Sequence, residues 1–191
     1  MFTRSKWLDS LAIVVKIACC FILFAGNVLA EQTEKTYSES QIKVALVYKL
    51  LHFIEWPPSQ DLKICIYGAN DEDASSFKSM PETTEFGGEL NIIFIYKNDD
   101  SEIKQSCQIF FFSDNTSEDI QKILTNMVNT PSLTIGESDQ FIRQGGMINL
   151  IRKDSTLRFE ISVSALKQAG LDISSQILRI ADQIYTNEHG E

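Results

Sequence analysis

The sequence predicts an α/β protein: a three-layer sandwich with a mixed, mainly parallel central sheet, flanked by helices and joined by a C-terminal β-hairpin. Two observations carry this prediction. Short and almost continuously apolar runs at 62–67, 90–96 and 108–112 are typical of strands that are buried on both faces of a sheet. Segments with the helical spacing of apolar residues alternate with these runs, as they do in parallel sheets covered by helices.

Composition excludes several classes of protein. The chain has 191 residues, of which 43% are hydrophobic and 23% charged, and these values suit one globular domain. The 26 acidic residues outnumber the 17 basic ones, so the formal net charge is −9. Because such a chain repels phosphate, we expect no nucleic acid partner and no attraction to anionic lipid.

The N-terminus has the three parts of an export signal. Two basic residues precede the apolar run 11–29, which ends in small residues at Ala30 before a polar stretch. This pattern predicts a signal peptide over residues 1–30 that is cleaved after Ala30, and hence a periplasmic protein. A retained anchor and lipidation at Cys19 are the alternatives. No second apolar run of membrane length follows, so we expect no membrane insertion after cleavage.

Cleavage would change the charge and the cysteine count of the chain. Residues 31–191 carry 14 basic and 25 acidic residues, a net charge of −11, and keep two of the four cysteines. We expect a lead-in at 31–40, one domain at 41–185 and a flexible tail at 186–191. No internal repeat or low-complexity linker suggests a further domain.

The first helix has a clear start signal and an unusually wide apolar surface. Ser38 and Gln41 form a capping box that predicts a helix over 42–56, stopped by the two prolines that follow. Its apolar residues cover more than one face. The helix is therefore either covered on two sides or docks on a partner through Val44, Val47 and Leu51.

The remaining elements follow in chain order. Strands are predicted at 62–67, 90–96, 108–112 and 132–136, and helices at 70–80, 118–129 and 138–144. A hairpin is predicted with its arms at 147–152 and 156–161. Apolar and charged residues alternate along the second arm, which predicts that one face of this strand is exposed to solvent. Two last helices are predicted at 163–169, closed by Gly170, and at 175–183, capped by Ser174.

The two remaining cysteines are Cys65 and Cys107. Their separation of 42 residues fits no metal motif, and we predict neither a metal nor a cofactor. An even pair in an oxidising compartment favours a disulfide. Two free thiols and a redox-switchable bond are the alternatives.

The chain lacks the acid–base and nucleophile motifs that hydrolytic catalysis needs. It has two histidines, His52 in the apolar first helix and His189 in the tail, and neither a nucleophile elbow nor a phosphate-binding loop. The acidic run 71–73 lacks the spacing of a calcium loop and is expected to be a solvated helix start. We therefore expect no enzymatic activity.

Five segments taken in order resemble one known family. These are "VALVYKLLHFIEWP", "KICIYG", "CQIFFF", "LTIGESDQFIRQGGMINLI" and "LRFEISVSALKQAGLDISSQILRIA". Together they resemble the YfiR family, also called DUF4154. The resemblance implies a periplasmic α/β regulator that binds the periplasmic part of a membrane-bound diguanylate cyclase, holds it inactive and so lowers cyclic di-GMP. It also implies a lipoprotein linked to the outer membrane that sequesters the regulator. The family pattern pairs cysteines at the places of Cys65 and Cys107, but Gln108 stands where a histidine often follows the second cysteine.

A regulator of this kind needs an interaction surface, and the sequence offers two. One is the extra apolar side of the first helix, through which a homodimer is also conceivable. The other is the junction of the hairpin with the next helix, carrying Ile148, Arg158, Glu160 and Leu166. A second hypothesis is a small-ligand sensor, because ligands bind at the carboxyl ends of strands in open α/β sheets. The loops 68–71 and 136–139 would line such a crevice.

Overall fold

A computed structural model describes residues 36–56, 61–84, 87–95, 107–113 and 117–186. The chain divides between Thr36 and Tyr37, and every element below belongs to Tyr37–Glu191. Within the described ranges, no helix is long and apolar enough to cross a bilayer. The predicted signal peptide and its cleavage after Ala30 lie outside the described residues.

A seven-stranded sheet forms the centre of the fold, in the order β3-β2-β4-β5-β6-β7-β9. Strands β2 to β6 are parallel, β7 runs antiparallel to β6, and β9 runs parallel to β7. This confirms the mixed, mainly parallel sheet, and the predicted hairpin is its β6–β7 pair. The strands are β2 (Leu62–Tyr67), β3 (Leu90–Ile95), β4 (Ile109–Phe112), β5 (Leu133–Gly136), β6 (Ile148–Lys153), β7 (Thr156–Ser162) and β9 (Gln183–Tyr185).

Five helices are described, and local signals account for where most of them begin. Ser38 caps the first helix and both bonds of the predicted capping box with Gln41 are present. Asn70, Ser162 and Ser174 cap three of the others with their side chains. The helices are α1 (Glu39–Leu51), α2 (Asp71–Lys78), α3 (Ser117–Asn126), α4 (Val163–Gln168) and α5 (Ser175–Leu178).

Helices cover both faces of the sheet, which makes the predicted three layers. On one face α1, α2, α4 and α5 pack in a large apolar cluster that includes Leu50 and Phe77. On the other face α3 packs in a smaller cluster through Ile120 and Leu124. All four residues of β4 are buried, as its continuous apolar run predicts for a strand covered on both sides.

The predicted end of the first helix is wrong. The helix ends at Leu51 rather than at residue 56, because Ile54–Glu55 forms a short strand, β1. This strand pairs antiparallel with β8 (Asp172–Ile173) in a separate two-stranded sheet. Its partner lies more than a hundred residues further along the chain, so no local pattern announces it.

Two predicted helices in the C-terminal half are also corrected. The segment 138–144 forms a series of turns, because the buried ring of Phe141 packs on the flanking glycines Gly136 and Gly146. The last helix ends at Leu178 instead of residue 183. The following Gln183–Tyr185 is extended, because it finds an open edge of the sheet on β7.

Candidate functional site

The carboxyl edge of the parallel strands carries a cluster of buried charged side chains. From β2 the chain passes to β3 on one side and then to β4 on the other, which makes the carboxyl end of β2 a topological switch point. Asp73 of α2 and Glu137, which follows β5, meet Lys43 of α1 at this edge. The loops 68–71 and 136–139 therefore end near one another, as the ligand-sensor hypothesis requires.

Lys43 lies between the two carboxylates. Its Nζ is 3.0 Å from Asp73 Oδ1 and 2.9 Å from Glu137 Oε1. Asp73 has further partners: the hydroxyls of Ser40 and Ser113 each donate to it at 2.6 Å, and the Asn70 amide donates at 3.1 Å. Both oxygens of Asp73 are thus fully used, and its side chain is 1% exposed.

The two carboxylates differ in their protonation behaviour. Burial alone would raise the pKa of Asp73, but hydrogen bonds from Ser113, Ser40 and Lys43 outweigh it and lower that pKa. Burial raises the pKa of Glu137, because Lys43 offsets only part of this effect. Burial also works against the charged form of Lys43, but the two carboxylates hold the pKa of Lys43 above its ordinary value. Glu137 is therefore the group that takes up a proton first.

This cluster lies at the carboxyl ends of the strands, where open α/β sheets in general bind ligands. The ammonium of Lys43 joins α1 to α2 and to the loop after β5, and Glu39 of α1 forms a further ion pair with Arg152 of β6. The expectation of a solvated helix start at 71–73 is wrong for Asp73, because its side chain is buried. Ser40 and Lys43 stand three residues apart on the face that also buries Val44 and Val47, and this spacing was the available signal.

The predicted disulfide between Cys65 and Cys107 is present, with 6.0 Å between the Cα atoms. It joins the middle of β2 to the residue two positions before β4. Both cysteines are buried, at 0% and 2% exposure, in the cluster beneath α3. A reductant therefore reaches this bond only when the domain opens, which argues against a redox switch in the folded state.

The structure separates the predicted interface residues into core and surface. Five of the predicted interface residues lie on α1, β6 and α4 and belong to the large apolar cluster. They are Val44, Val47, Leu51, Ile148 and Leu166. They are buried because α1 and α4 pack on the same face of the sheet, and this corrects the expectation that a partner contacts them. Arg158 is exposed and Glu160 half-buried, so these two reach the surface.

Arg158 and Glu160 lie on a part of the sheet that no described helix covers. Residues that are directly paired share a face, and Glu160 is paired with Asn149 of β6 and with Gln183 of β9. This is the face on which α3 packs further along the sheet, but the cluster beneath α3 contains no residue of β6, β7 or β9. The uncovered face, as we call it, includes the exposed Arg158 and Gln183, the half-buried Glu160 and the half-buried Ile151, whereas the neighbouring Asn149 is buried.

Two other candidate features carry no catalytic geometry in the described part of the chain. His52 lies just after α1, where its Nδ1 is 2.9 Å from the carbonyl oxygen of Tyr48 and its ring meets the Tyr48 ring edge-on. No group of three or more acidic, histidine or cysteine side chains is placed to hold a metal ion within the described ranges. His189 lies outside them.

Comparison with known proteins identifies a family and a fold. The family model described as DUF4154, YfiR/HmsC-like, matches residues 40–182. No curated protein matches the chain. Among solved structures, it resembles a conserved domain protein from Vibrio cholerae O1 biovar El Tor strain N16961, with a TM-score of 0.51 and 12% identity over 77% of this chain. It also resembles an ABC domain in complex with L-Trp from Streptococcus pneumoniae, with a TM-score of 0.54 and 13% identity over 76% of this chain. The chain spans 60% of the length of each, and at these identities the likeness shows the fold alone.

Proposed function

Because the chain belongs to the YfiR/HmsC-like family, DUF4154, a family of periplasmic regulators in cyclic di-GMP signalling, we propose that it represses a diguanylate cyclase. In this proposal it binds the periplasmic part of an inner-membrane cyclase and lowers its output of cyclic di-GMP. The observation that carries the proposal is the extent of the match, which covers residues 40–182 and thus nearly every described element. Export through residues 1–30 and cleavage after Ala30 are part of the same proposal.

Repression of this kind requires binding rather than turnover. The regulator must bind the inactive cyclase better than the active one, and a difference of about 1.4 kcal/mol shifts their ratio tenfold. The described chain supports this reading, because its buried charged groups are paired with one another. Lys43 and Asp73, for example, are both engaged in ion pairs and hydrogen bonds inside the fold. We propose that it works as a binding protein without catalytic activity.

The uncovered face is the surface that we assign to the cyclase. It contains the two predicted interface residues that reach the surface, Arg158 and Glu160. Neither side chain takes part in an ion pair among the described residues, so both charges are available to a partner. Sequestration by a lipoprotein linked to the outer membrane would use the same or an overlapping surface.

Two experiments test the proposal. Deletion of the gene should raise cellular cyclic di-GMP, and an unchanged level under several growth conditions would argue against repression. In vitro, the purified protein should capture the periplasmic domain of the cyclase, and Glu160→Lys should abolish capture while the melting temperature is retained. Glu82→Lys, an exposed charge reversal outside the uncovered face, is the matched control and should bind like the wild type. Equal capture by both variants would remove the uncovered face from the interface.

A further inference from the structure

We infer that the side of α1 that faces away from the sheet is an interface between two copies of this chain, which pack their α1 helices antiparallel. This surface, called the outer side of α1, does not depend on the proposed function, because α1 and the uncovered face lie on opposite faces of the sheet. The outer side of α1 consists of Glu39, Gln41, Ile42, Ala45, Leu46 and Lys49.

The middle of the outer side is apolar although it faces water. Ile42 is 49% exposed, Ala45 is exposed as well, and Leu46 is half-buried. These three residues are neighbours, because positions three and four apart lie on one face of a helix. A helix that packs on a sheet through one side normally carries polar residues on the opposite side. Since Val44 and Val47 already fill the side towards the sheet, the second apolar strip points to a contact outside the domain.

The charges of the outer side balance each other and stand at its two ends. Glu39 is in the first turn of α1 and Lys49 in the last turn, and both are exposed. The outer side is therefore neutral, although residues 31–191 carry 25 acidic and only 14 basic residues. A neutral strip is the part of such an acidic surface on which two copies repel each other least.

One antiparallel register satisfies both the charged and the apolar residues. A two-fold axis at the level of residue 44 is five residues from Glu39 and five from Lys49. The same axis is two residues from Ile42 and two from Leu46. It therefore places Glu39 beside Lys49 of the second copy, and Ile42 beside Leu46 of the second copy, and each contact occurs twice. Ala45 lies next to the axis, where its small side chain lets the two helices approach closely.

The ion pair that Glu39 forms within its own copy is compatible with this register. Glu39 pairs with Arg152 of β6, but the two side chains are 58% and 55% exposed. A carboxylate has acceptor sites for more than one donor, so Lys49 of the second copy reaches the same group. A parallel arrangement of the helices would instead bring Glu39 beside Glu39, and like charges would oppose it.

The size of the outer side sets the strength of the dimer. With 13 residues, α1 is about 20 Å long. One pair of such helices buries less than the roughly 1,200 Å² of accessible surface that stable interfaces reach. The dimer is accordingly weak and exchanges with the monomer. Its exposed ion pairs fix the register more than they add affinity.

The first test measures the oligomeric state of the purified protein. Sedimentation over a range of concentrations should follow a monomer–dimer equilibrium, and Ile42→Lys should raise its dissociation constant about tenfold or more. The matched control is Ile180→Lys, which changes an isoleucine that is 63% exposed and lies outside α1, and it should leave the dissociation constant unchanged. A protein that stays monomeric at every concentration, or an equal effect of the two variants, would overturn the inference.

The second test examines the register. Ala45→Cys places a thiol next to the two-fold axis, so oxidation should link two copies through this position, whereas Glu82→Cys, exposed and outside α1, should not cross-link. Glu39→Lys and Lys49→Glu should each weaken the dimer several-fold, because each brings like charges together. The double variant restores opposite charges and should recover the affinity. No cross-link at position 45, or a double variant weaker than both single variants, would refute this interface.

Discussion

Replacing Lys43 with methionine tests whether the buried ion cluster holds α1 on the sheet. The substitution keeps most of the length of the side chain and removes its charge. It leaves the carboxylates of Asp73 and Glu137, whose side chains are 1% and 17% exposed, without their shared ammonium. Removing one partner of a buried ion pair costs about 3–5 kcal/mol, chiefly because the remaining charge is uncompensated. For a chain of this size, such a loss lowers the melting temperature by roughly 6–20 °C.

The loss of stability caused by Lys43→Met should depend on pH. Because burial already raises the pKa of Glu137, this carboxyl is the first to be neutralised as the pH falls. The cost of Lys43→Met should therefore be largest at pH 8 and smaller at pH 5. Urea unfolding at both pH values, followed by circular dichroism, measures this difference. Lys49→Met, an exposed change on the same helix, is the control and should stay within about 0.5 kcal/mol of the wild type. A loss below about 1 kcal/mol at pH 8, or one that does not shrink on acidification, would refute the reasoning.

Three further predictions concern the same domain. The pKa of Glu137 is raised in the folded state, so the stability that Glu137 contributes is present at low pH and is lost as the pH rises through this folded-state pKa. The pKa of Asp73 is lowered, so the stability that Asp73 contributes is present above its ordinary pKa and is lost as the pH falls. At pH 8, Glu137→Gln should therefore leave the free energy of unfolding unchanged or raise it, whereas Asp73→Asn should lower it by about 2 kcal/mol. If urea melts show that Glu137→Gln destabilises the protein more than Asp73→Asn does, this assignment is wrong. Replacing both Cys65 and Cys107 with alanine should lower the unfolding free energy by about 4 kcal/mol, and mass analysis of the alkylated, unreduced native protein should show no modified thiol at either position. Gly136→Ala should lower the free energy of unfolding by about 1–3 kcal/mol, because the new Cβ would lie 2.3 Å from the Phe141 ring. An equal loss in a protein that also carries Phe141→Ala would exclude this clash as the cause.

Local chemistry made part of the fold readable from sequence. The capping box of Ser38 and Gln41 depends on atoms three residues apart, and it is present as predicted. The turn between β6 and β7 is local as well, since Asp154 and Ser155 adopt the left-handed conformation that tight hairpin turns require. The disulfide was predictable because an even pair of cysteines, together with the predicted export signal, favours a disulfide over free thiols.

Errors arose where a segment's hydrogen-bond partner lies far along the chain. Ile54 pairs with Ile173 and Ile184 with Ile161, and neither segment differs locally from the end of a helix. The side of α1 that is buried was undecided for the same reason. Its apolar residues surround most of the helix, and only the position of the sheet selects Val44 and Val47 for the core and leaves Ile42 exposed.

The sequence by itself determined the class of fold, the family and the cysteine pair, because strand-like apolar runs and the order of the family's segments are properties of consecutive residues. Only the tertiary structure decided which side chains meet at the candidate site and which reach the surface. Lys43, Asp73 and Glu137 come from three separate segments and meet only because parallel strands place their carboxyl ends at one edge. The uncovered face likewise exists because β7 and β9 extend the sheet beyond the cluster beneath α3, which leaves Arg158 exposed and Glu160 half-buried.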